Sequence, residues 1–296
     1  MKQFPVLVPT GDGHVAAVVT VPDGETRGLV VSLPGIGRQN VIGSTLCGRL
    51  SERLAAEGLA SVRLDYSGLG DSPGLVPLWT LADVDATVEQ ARAVLRVAGE
   101  ALGVTRFAAV ATCYGTCVAL TLVESPSCVG AICLAAPMLE YGGATRVSRR
   151  AAERARLSVI RSNPRVRRLV GPLRRALRAT KPAGRVVGAL AHLDRTRLVF
   201  LYGRIPAEDH YSERARRSVD AVVATLRPEQ QARFDLRMLP WGPLTNFDIL
   251  PAEEQEAVLD VVLPYVRESF DGTSRANVAQ TSAIVANTPI EVADDS

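Results

Sequence analysis

Residues 106–123 (RFAAVATCYGTCVALTLV) constrain the fold of this chain more than any other segment. Phe107–Thr112 is an apolar run that predicts a buried strand, and a second apolar run from Tyr114 predicts a helix. The turn ATCYG joins the two, with the spacing G-x-S-x-G but with Ala111 in the first glycine position and Cys113 in place of serine. A strand that turns this sharply into a helix presents the residue at its corner, which here is Cys113.

Cys113 at such a corner indicates nucleophilic chemistry. A cysteine thiol is already partly ionised near neutral pH, whereas a serine hydroxyl needs a general base before it can attack a carbonyl group. The chain has five cysteines, and their odd number and spacing indicate neither a disulfide framework nor a zinc site. Cys117, Cys128 and Cys133 lie in apolar segments and are predicted to be small core residues. We predict no metal and no cofactor.

Predicted strands alternate with predicted helices along most of the chain. The strands are predicted at 15–21, 29–33, 107–112, 130–135, 197–201 and 234–239, with a further one in LASVRLDYSGLGDSPG (59–74) before its glycines. The helices are predicted at 46–58, 83–99, 114–123, 213–226 and 253–270. Strands separated by helical stretches indicate βαβ crossovers. The sequence therefore predicts an α/β fold, a mostly parallel sheet with helices on both faces.

The alternation is interrupted once, which divides the chain into four segments. Residues 1–140 and 194–270 are the two parts of the α/β core, and 141–193 is predicted to be an inserted helical lid. Residues 141–190 contain thirteen Arg and one Lys against a single acid, a net charge of +13, whereas the whole chain carries +3. Residues 271–296 lack aromatic side chains, end in an acidic run and are predicted to be largely disordered.

Five segments together resemble the α/β-hydrolase fold superfamily over roughly residues 4–270. They are LPGIG (33–37), LDYSGLGDSPG (64–74), ATCYG (111–115), LYGR (201–204) and GPLTNFDILPAEEQEAVLDVVLPYV (242–266). The set is most similar to the cysteine-elbow hydrolases that accompany exosortase systems and polyketide or nonribosomal peptide clusters. The resemblance implies an α/β-hydrolase fold with a lid and a role in bacterial secondary metabolism, and it says less about the substrate.

The resemblance also implies an oxyanion hole beside Cys113. Its two backbone N–H donors would come from Ile36, in the turn PGIG, and from Tyr114, the residue after the nucleophile. Amides at the start of a helix point towards the place where a tetrahedral oxyanion forms, which is the physical basis of this assignment. Gly35 and Thr245 are expected to lie in the substrate-binding part of the site.

The acid of the catalytic triad is expected a few residues after LYG, because the superfamily order is nucleophile, acid, histidine. Ile205 occupies the commonest position of the acid. Glu208 and Asp209 are the displaced candidates in the same loop. Glu140, after the predicted strand 130–135, is an alternative from the other acid position that some members use.

The histidine of the triad is missing from its usual position before the last helix. Thr245 occupies that position in GPLTNF, and no histidine follows His210. His210 lies in the acid loop and is the candidate for an unconventional base. His14, on an N-terminal hairpin, and His192, at the exit of the predicted lid, are predicted to be surface or partly buried polar residues.

Three functions remain open for such a site. Cys113 with a base such as His210 would hydrolyse an ester or thioester or transfer its acyl group. Alternatively, a repurposed enzyme of this fold would catalyse a non-hydrolytic cyclisation or isomerisation, because positioning alone contributes several kcal/mol. The third possibility is a pseudoenzyme that binds an acylated ligand or a partner without turnover.

The charge of the predicted lid indicates the kind of partner. Its arginines suit coenzyme A, a phosphopantetheine arm or an acyl carrier protein that delivers a small acyl substrate. Nucleic acid is disfavoured, because residues 141–190 have no aromatic side chain beyond Tyr141 for base stacking. No uncharged apolar run approaches the roughly 20 residues of a membrane span, and the N-terminus lacks a signal-peptide pattern. We therefore predict a cytoplasmic protein, whose oligomeric state the sequence does not specify.

Overall fold

Eight strands form one sheet in the part of the chain that the computed structural model describes, residues 1–11, 13–35, 45–74, 84–134, 182–203, 226–241 and 250–272. The strands are β1 (Lys2–Thr10), β2 (Gly13–Val21), β3 (Leu29–Leu33), β4 (Ala60–Leu64), β5 (Phe107–Thr112), β6 (Cys128–Leu134), β7 (Arg197–Gly203) and β8 (Phe234–Leu239). The helices are α1 (Thr45–Ala56), α2 (Asp85–Leu102), α3 (Tyr114–Leu122), α4 (Pro182–Leu190), α5 (Pro228–Gln231) and α6 (Ala252–Asp271).

The sheet is parallel except at its first two strands. Its order is β1-β2-β4-β3-β5-β6-β7-β8, and β2 pairs antiparallel with both β1 and β4. Every other pair of neighbours is parallel. Parallel strands all end on one side, so the segments that follow β3, β4, β5, β6, β7 and β8 begin at a shared carboxyl edge. The predicted α/β class with a mostly parallel sheet is confirmed.

Helices cover both faces of the sheet, also as predicted. Val88 of α2, Val118 of α3 and Leu190 of α4 belong to the buried cluster on one face, whereas Leu50 of α1 and Val262 of α6 belong to the cluster on the other. Every residue of α3 except one is buried, because this helix lies between the sheet and helices α2 and α4. Its sequence is therefore a continuous apolar run rather than an amphipathic pattern. No helix among the described ranges has the length and apolarity needed to cross a bilayer.

The predicted bounds agree closely with the structure. β3, β5 and β8 have the predicted bounds, and the other predicted elements in the described ranges differ at their ends by one to three residues. Residues 213–225 of the predicted helix 213–226 and residues 273–296 of the predicted disordered tail 271–296 lie outside the described residues, and the first residue of that tail, Asp271, ends α6. Residues 141–181, which are most of the predicted lid, also lie outside the described residues. The last part of the predicted lid forms α4, where Arg185 donates a hydrogen bond of 2.8 Å to Thr121 of α3.

The N-terminal hairpin predicted at His14 needs a strand before its turn, but the sequence patterns give no bounds for that strand, β1, because Pro5 and Pro9 interrupt its apolar run. Proline has no N–H for a ladder hydrogen bond, so it is confined to edge strands, with its nitrogen on the solvent side. β1 is the outer strand, and its prolines stand opposite Val18 and His14 of β2. The prolines shorten the row of free N–H groups on this edge and so limit pairing with another chain.

Candidate active site

Cys113 stands at the corner between β5 and α3 in a backbone conformation that L-residues rarely adopt. Its φ is 48° and its ψ is −115°, and no other described residue except glycine has a positive φ. Such a conformation costs about 1–3 kcal/mol and persists only where the surrounding structure enforces it. The Cys113 side chain is partly exposed. The predicted sharp turn from strand to helix is confirmed, and the cysteine at it is partly exposed.

Two glycines allow the chain after β3 to approach this corner closely. A Cβ atom at Gly115 would lie 2.3 Å from the carbonyl oxygen of Leu33 and 2.7 Å from that of Pro34, so only glycine fits there. A Cβ atom at Gly35 would lie 3.2 Å from the Cβ and 3.9 Å from the Sγ of Cys113. Gly35 therefore lies directly beside the Cys113 side chain.

Hydrogen bonds fix the backbone on both sides of the corner. The Cys113 N–H donates to the carbonyl oxygen of Leu134 at the end of β6, at 3.1 Å. The Cys113 carbonyl accepts from the N–H and the hydroxyl of Thr116, at 3.1 and 2.6 Å. Tyr114 is the first residue of α3, and the amides of a first helical turn point out of the helix along its axis. The corner thus presents a thiol next to a helix N-terminus.

A loop with buried polar contacts follows β4 at the same edge of the sheet. Asp65 is fully buried, and its carboxylate accepts the Asp71 N–H at 3.2 Å. The Ser72 hydroxyl donates to the Asp65 carbonyl and accepts the Ala16 N–H at 2.8 Å. Gly70 has a φ of 51°, and a Cβ atom there would lie 2.0 Å from the Asp65 carboxylate. The sequence patterns do not predict that this loop lies beside the site. The available signal was an acid at a strand end followed by three glycines.

The described architecture matches many solved structures. Proline iminopeptidase of Mycobacterium smegmatis has a TM-score of 0.56 and 15% sequence identity, with 91% of this chain and 99% of that chain covered. XC6422 of Xanthomonas campestris, an α/β serine hydrolase without a lid, has a TM-score of 0.53 and 10% identity, with 94% and 97% covered. The chain has the α/β-hydrolase fold. DcsB, solved in complex with its substrate analogue, has a TM-score of 0.56 and 15% identity, with 90% and 100% covered.

No family model matches the chain, and no curated protein matches its sequence. Identities of 10–15% establish the α/β-hydrolase fold and leave the chemistry to be argued from the site. The more specific likeness to cysteine-elbow hydrolases of particular gene clusters therefore stays a prediction.

The predicted acid and base follow β7 in the α/β-hydrolase fold. β7 lies two strands from β5, and it ends at the carboxyl edge, so the chain towards Glu208, Asp209 and His210 leaves from the edge that carries Cys113. The predicted site residues outside the described part of the chain are Ile36, Glu140, Glu208, Asp209, His210 and Thr245. Of the other two histidines, His14 is exposed on β2 and His192 is half-buried after α4, as predicted.

The remaining cysteines differ from Cys113 in burial. Cys117, Cys128 and Cys133 are at most 1% exposed, which confirms that they are core residues. Burial raises the pKa of Cys117 and Cys128 to about 12 and that of Cys133 further. These three thiols therefore stay protonated at neutral pH. Cys47, on α1, is partly exposed.

Iodoacetamide is expected to alkylate Cys113 at neutral pH at least about 100-fold faster than Cys117, Cys128 and Cys133, because only exposed, ionisable thiols react. The measurement is a time course of alkylation followed by peptide mass spectrometry of the folded protein. Cys47 is the internal control for an ordinary, partly exposed thiol. Equal rates at Cys113 and Cys117 would contradict the placement of the corner thiol.

Neither a metal-binding cluster nor a cavity in the described ranges provides an alternative candidate for the active site at the corner. No group of three or more His, Cys, Asp and Glu side chains in these ranges could hold a metal ion. Two cavities, of about 540 and 290 Å³, flank α2 and are lined by residues such as Phe107 and Leu102 respectively. Phe107 is at the start of β5, so the larger cavity lies about 20 Å from the corner at the other end of the strand.

Proposed function

We propose that this α/β-hydrolase-fold chain is an enzyme that takes an acyl group from an ester or thioester onto Cys113 and passes it to water or to another acceptor. The observation that carries the proposal is the corner itself, a partly exposed thiol at a φ of 48°, beside Gly35 and at the start of α3. Strained conformations of this kind concentrate at functional sites, whereas a core cysteine needs none.

The proposed reaction has two steps. The Cys113 thiolate attacks the carbonyl carbon, a C–S bond forms, and the carbonyl electrons move to oxygen. The amides of Tyr114 and Ile36 stabilise this oxyanion, and each such donor contributes roughly 3 kcal/mol in other enzymes. The oxyanion then collapses and expels the alkoxide or thiolate of the substrate, which takes up a proton. In the second step, water or an acceptor attacks the acyl thioester and releases the Cys113 thiolate.

We assign the base of the second step to His210, with Asp209 or Glu208 as its acidic partner, because all three come shortly after β7 in the chain and β7 ends at the carboxyl edge. Tyr66 is not this base. It is fully buried, and burial raises its pKa well above 10, so its phenol keeps its proton. The first step depends less on a base than in a serine enzyme, because a thiol ionises more readily than a hydroxyl.

We propose coenzyme A or an acyl carrier protein as the carrier of the acyl group, and bacterial secondary metabolism in the cytoplasm as the setting. The net charge of +13 in residues 141–190 supports a carrier with phosphates or an acidic surface. Two of the structural neighbours are named as a proline iminopeptidase and a serine hydrolase, which supports chemistry at a carbonyl carbon.

The test uses pairs of thioesters that differ only in their carrier. Acetyl, butyryl and hexanoyl groups are offered on coenzyme A and on N-acetylcysteamine, which has no phosphate. After acid quench, the intact mass is expected to rise by the acyl group, and peptide mapping is expected to place it on Cys113. Coenzyme A esters are expected to react faster at low salt. That advantage should shrink as the Debye length falls from about 10 Å at 0.1 M to about 3 Å at 1 M salt.

The control is Cys47→Ala, which removes the other partly exposed thiol and is expected to be acylated as the wild-type protein is. The informative negative result is a protein whose Cys113 reacts with iodoacetamide but gains no acyl group from any ester or thioester. That result would overturn the proposed acyl transfer.

The residue at the histidine position favours a second candidate function. Thr245 stands there, and no histidine follows His210. A non-hydrolytic cyclase or isomerase, or a ligand-binding protein, needs no histidine at that position, because positioning alone lowers a barrier substantially. Full activity of Cys113→Ala in converting a substrate without hydrolysis would favour this second candidate over the first.

A further inference from the structure

A charged side chain of β4, Arg63, is buried between the sheet and α1. Arg63 is 7% exposed. Ser61, two residues earlier in the strand, pairs with Val30 of β3, and Val30 belongs to the apolar cluster that α1 covers. Side chains two positions apart on a strand share a face of the sheet. Arg63 therefore lies on the face that α1 covers.

The charge of Arg63 is not balanced by any residue of the described ranges. No hydrogen-bond acceptor and no carboxylate of these ranges pairs with its guanidinium, and its Nε is closed off from solvent. The nearby buried acid, Asp65, accepts the Asp71 N–H of its own loop at 3.2 Å. A guanidinium keeps its charge inside a protein, and a buried charge without a partner costs free energy. A bound anion would remove that cost.

The first turn of α1 adds a second source of positive potential. A Cβ atom at Gly48 would lie 3.7 Å from the Nη1 of Arg63. Gly48 is the fourth residue of α1, and the first four N–H groups of a helix have no acceptor within it. This turn has no acidic side chain, and residues 34–44, which precede α1, contain Arg38 and no acid. Both the guanidinium and the helix N-terminus therefore favour an anion at the start of α1.

We propose that Arg63 and the first turn of α1 bind a phosphate group. Guanidinium and helix N-terminal N–H groups are donors that proteins use for phosphate oxygens. α1 runs from the end of β3 back to the start of β4, so its N-terminus lies at the carboxyl edge of the sheet. β4 is two strands from β5, about 10 Å at the usual strand spacing, so the site adjoins the corner at Cys113. Phosphate binding needs no reaction at Cys113, so this inference goes beyond the proposed function and does not depend on it.

The test compares the melting temperatures of the wild type and Arg63→Met in inorganic phosphate and in chloride at equal ionic strength. Phosphate at ten times its dissociation constant is expected to raise the wild-type value by about 3 °C, because a ligand of the folded state stabilises it by mass action. Arg63→Met is expected to show no such rise. Equal ionic strength removes general screening as the cause.

The stability of the variant without phosphate separates a binding residue from a structural one. Methionine is uncharged and also fills the space, so Arg63→Met is expected to melt in chloride at the wild-type temperature or above it. Arg53→Met is the matched control, since it removes from α1 an arginine that already pairs with Glu256 and Asp260. It is expected to melt slightly below the wild type and to keep the full phosphate rise.

Coenzyme A and pantetheine distinguish the two sources of such a phosphate. Coenzyme A carries phosphate groups, whereas pantetheine carries none, and calorimetric titration gives the dissociation constants. Tighter binding of coenzyme A than of inorganic phosphate, weakened at least about 10-fold in Arg63→Met, would identify the carrier as the source. Binding of coenzyme A no tighter than that of inorganic phosphate would identify free phosphate. Pantetheine is expected to bind the wild type and Arg63→Met equally.

Three results would overturn the inference. One is a wild-type protein without a phosphate rise, and another is an equal rise in Arg63→Met. The third is a melting temperature of Arg63→Met in chloride far below the wild-type value, since Arg63 would then be a structural residue. None of these results involves acylation of Cys113, so failure of this inference and failure of the proposed function are observed separately.

Discussion

Alanine at position 113 is expected to lower turnover of an acyl thioester by at least about 10⁴-fold, because removal of a catalytic nucleophile costs this much or more in comparable enzymes. The thiol at the corner is the only partly exposed group in the described core that combines nucleophilic character with a strained backbone. The measurement is the rate of thiol release from the thioester with the best wild-type rate, in Cys113→Ala and in the wild type.

Serine at the same position makes the experiment more informative, because a serine hydroxyl attacks only with a general base in reach. Substantial activity of Cys113→Ser would locate a working base such as His210 near the corner. Loss as complete as in Cys113→Ala would indicate that thiol ionisation replaces the base. Cys47→Ala is the control for a thiol outside the site and is expected to keep the wild-type rate. A fully active Cys113→Ala variant would contradict the proposed hydrolase.

Alanine at position 115 is expected to destabilise the protein by about 3 kcal/mol, an effect in the upper range of overpacking substitutions. Its Cβ would lie 2.3 and 2.7 Å from two backbone oxygens, those of Leu33 and Pro34. Backbone atoms at the end of a central strand cannot turn aside as a flexible side chain does. The relief available is to move α3 away from β3, which would also separate Gly35 from Cys113. Urea denaturation measures the change in the free energy of unfolding.

The matched control for Gly115→Ala is Gly188→Ala in α4, where an added Cβ would meet no atom within 4 Å. Alanine is the better helix former, so this variant is expected to keep or to raise stability by up to about 1 kcal/mol. Equal unfolding free energies for the two variants would show that β3 and α3 leave room for a Cβ atom at position 115, which contradicts the distances to Leu33 and Pro34. Ala111, in the first glycine position of the turn, already carries a Cβ atom and is buried in β5. The second glycine is therefore the one that this corner requires.

The local features of the fold could be predicted from the sequence. β3, β5 and β8 have the predicted bounds, because β3 and β5 are short apolar runs, β8 alternates apolar and charged residues, and each ends at a proline or a sharp turn. The corner at Cys113 was also predictable, since the strand, the turn and the helix are adjacent in the chain. The bounds of β1 were not predictable, because two prolines interrupt its apolar pattern, and its place at the edge of the sheet explains why prolines are tolerated there.

Some features of the candidate site could likewise be predicted from the sequence, and others could not. The sequence alone determined that a cysteine stands between a buried strand and a buried helix, and the resemblance placed Gly35 near it. Tertiary structure decided the φ of Cys113, the contact of Gly35 with its side chain, and the bond from Thr87 to Tyr114. These contacts join residues 27 or more positions apart along the chain, and no periodicity or turn signal encodes them. Local patterns specify which elements form, whereas the approach of backbone to backbone depends on how the finished sheet and helices pack.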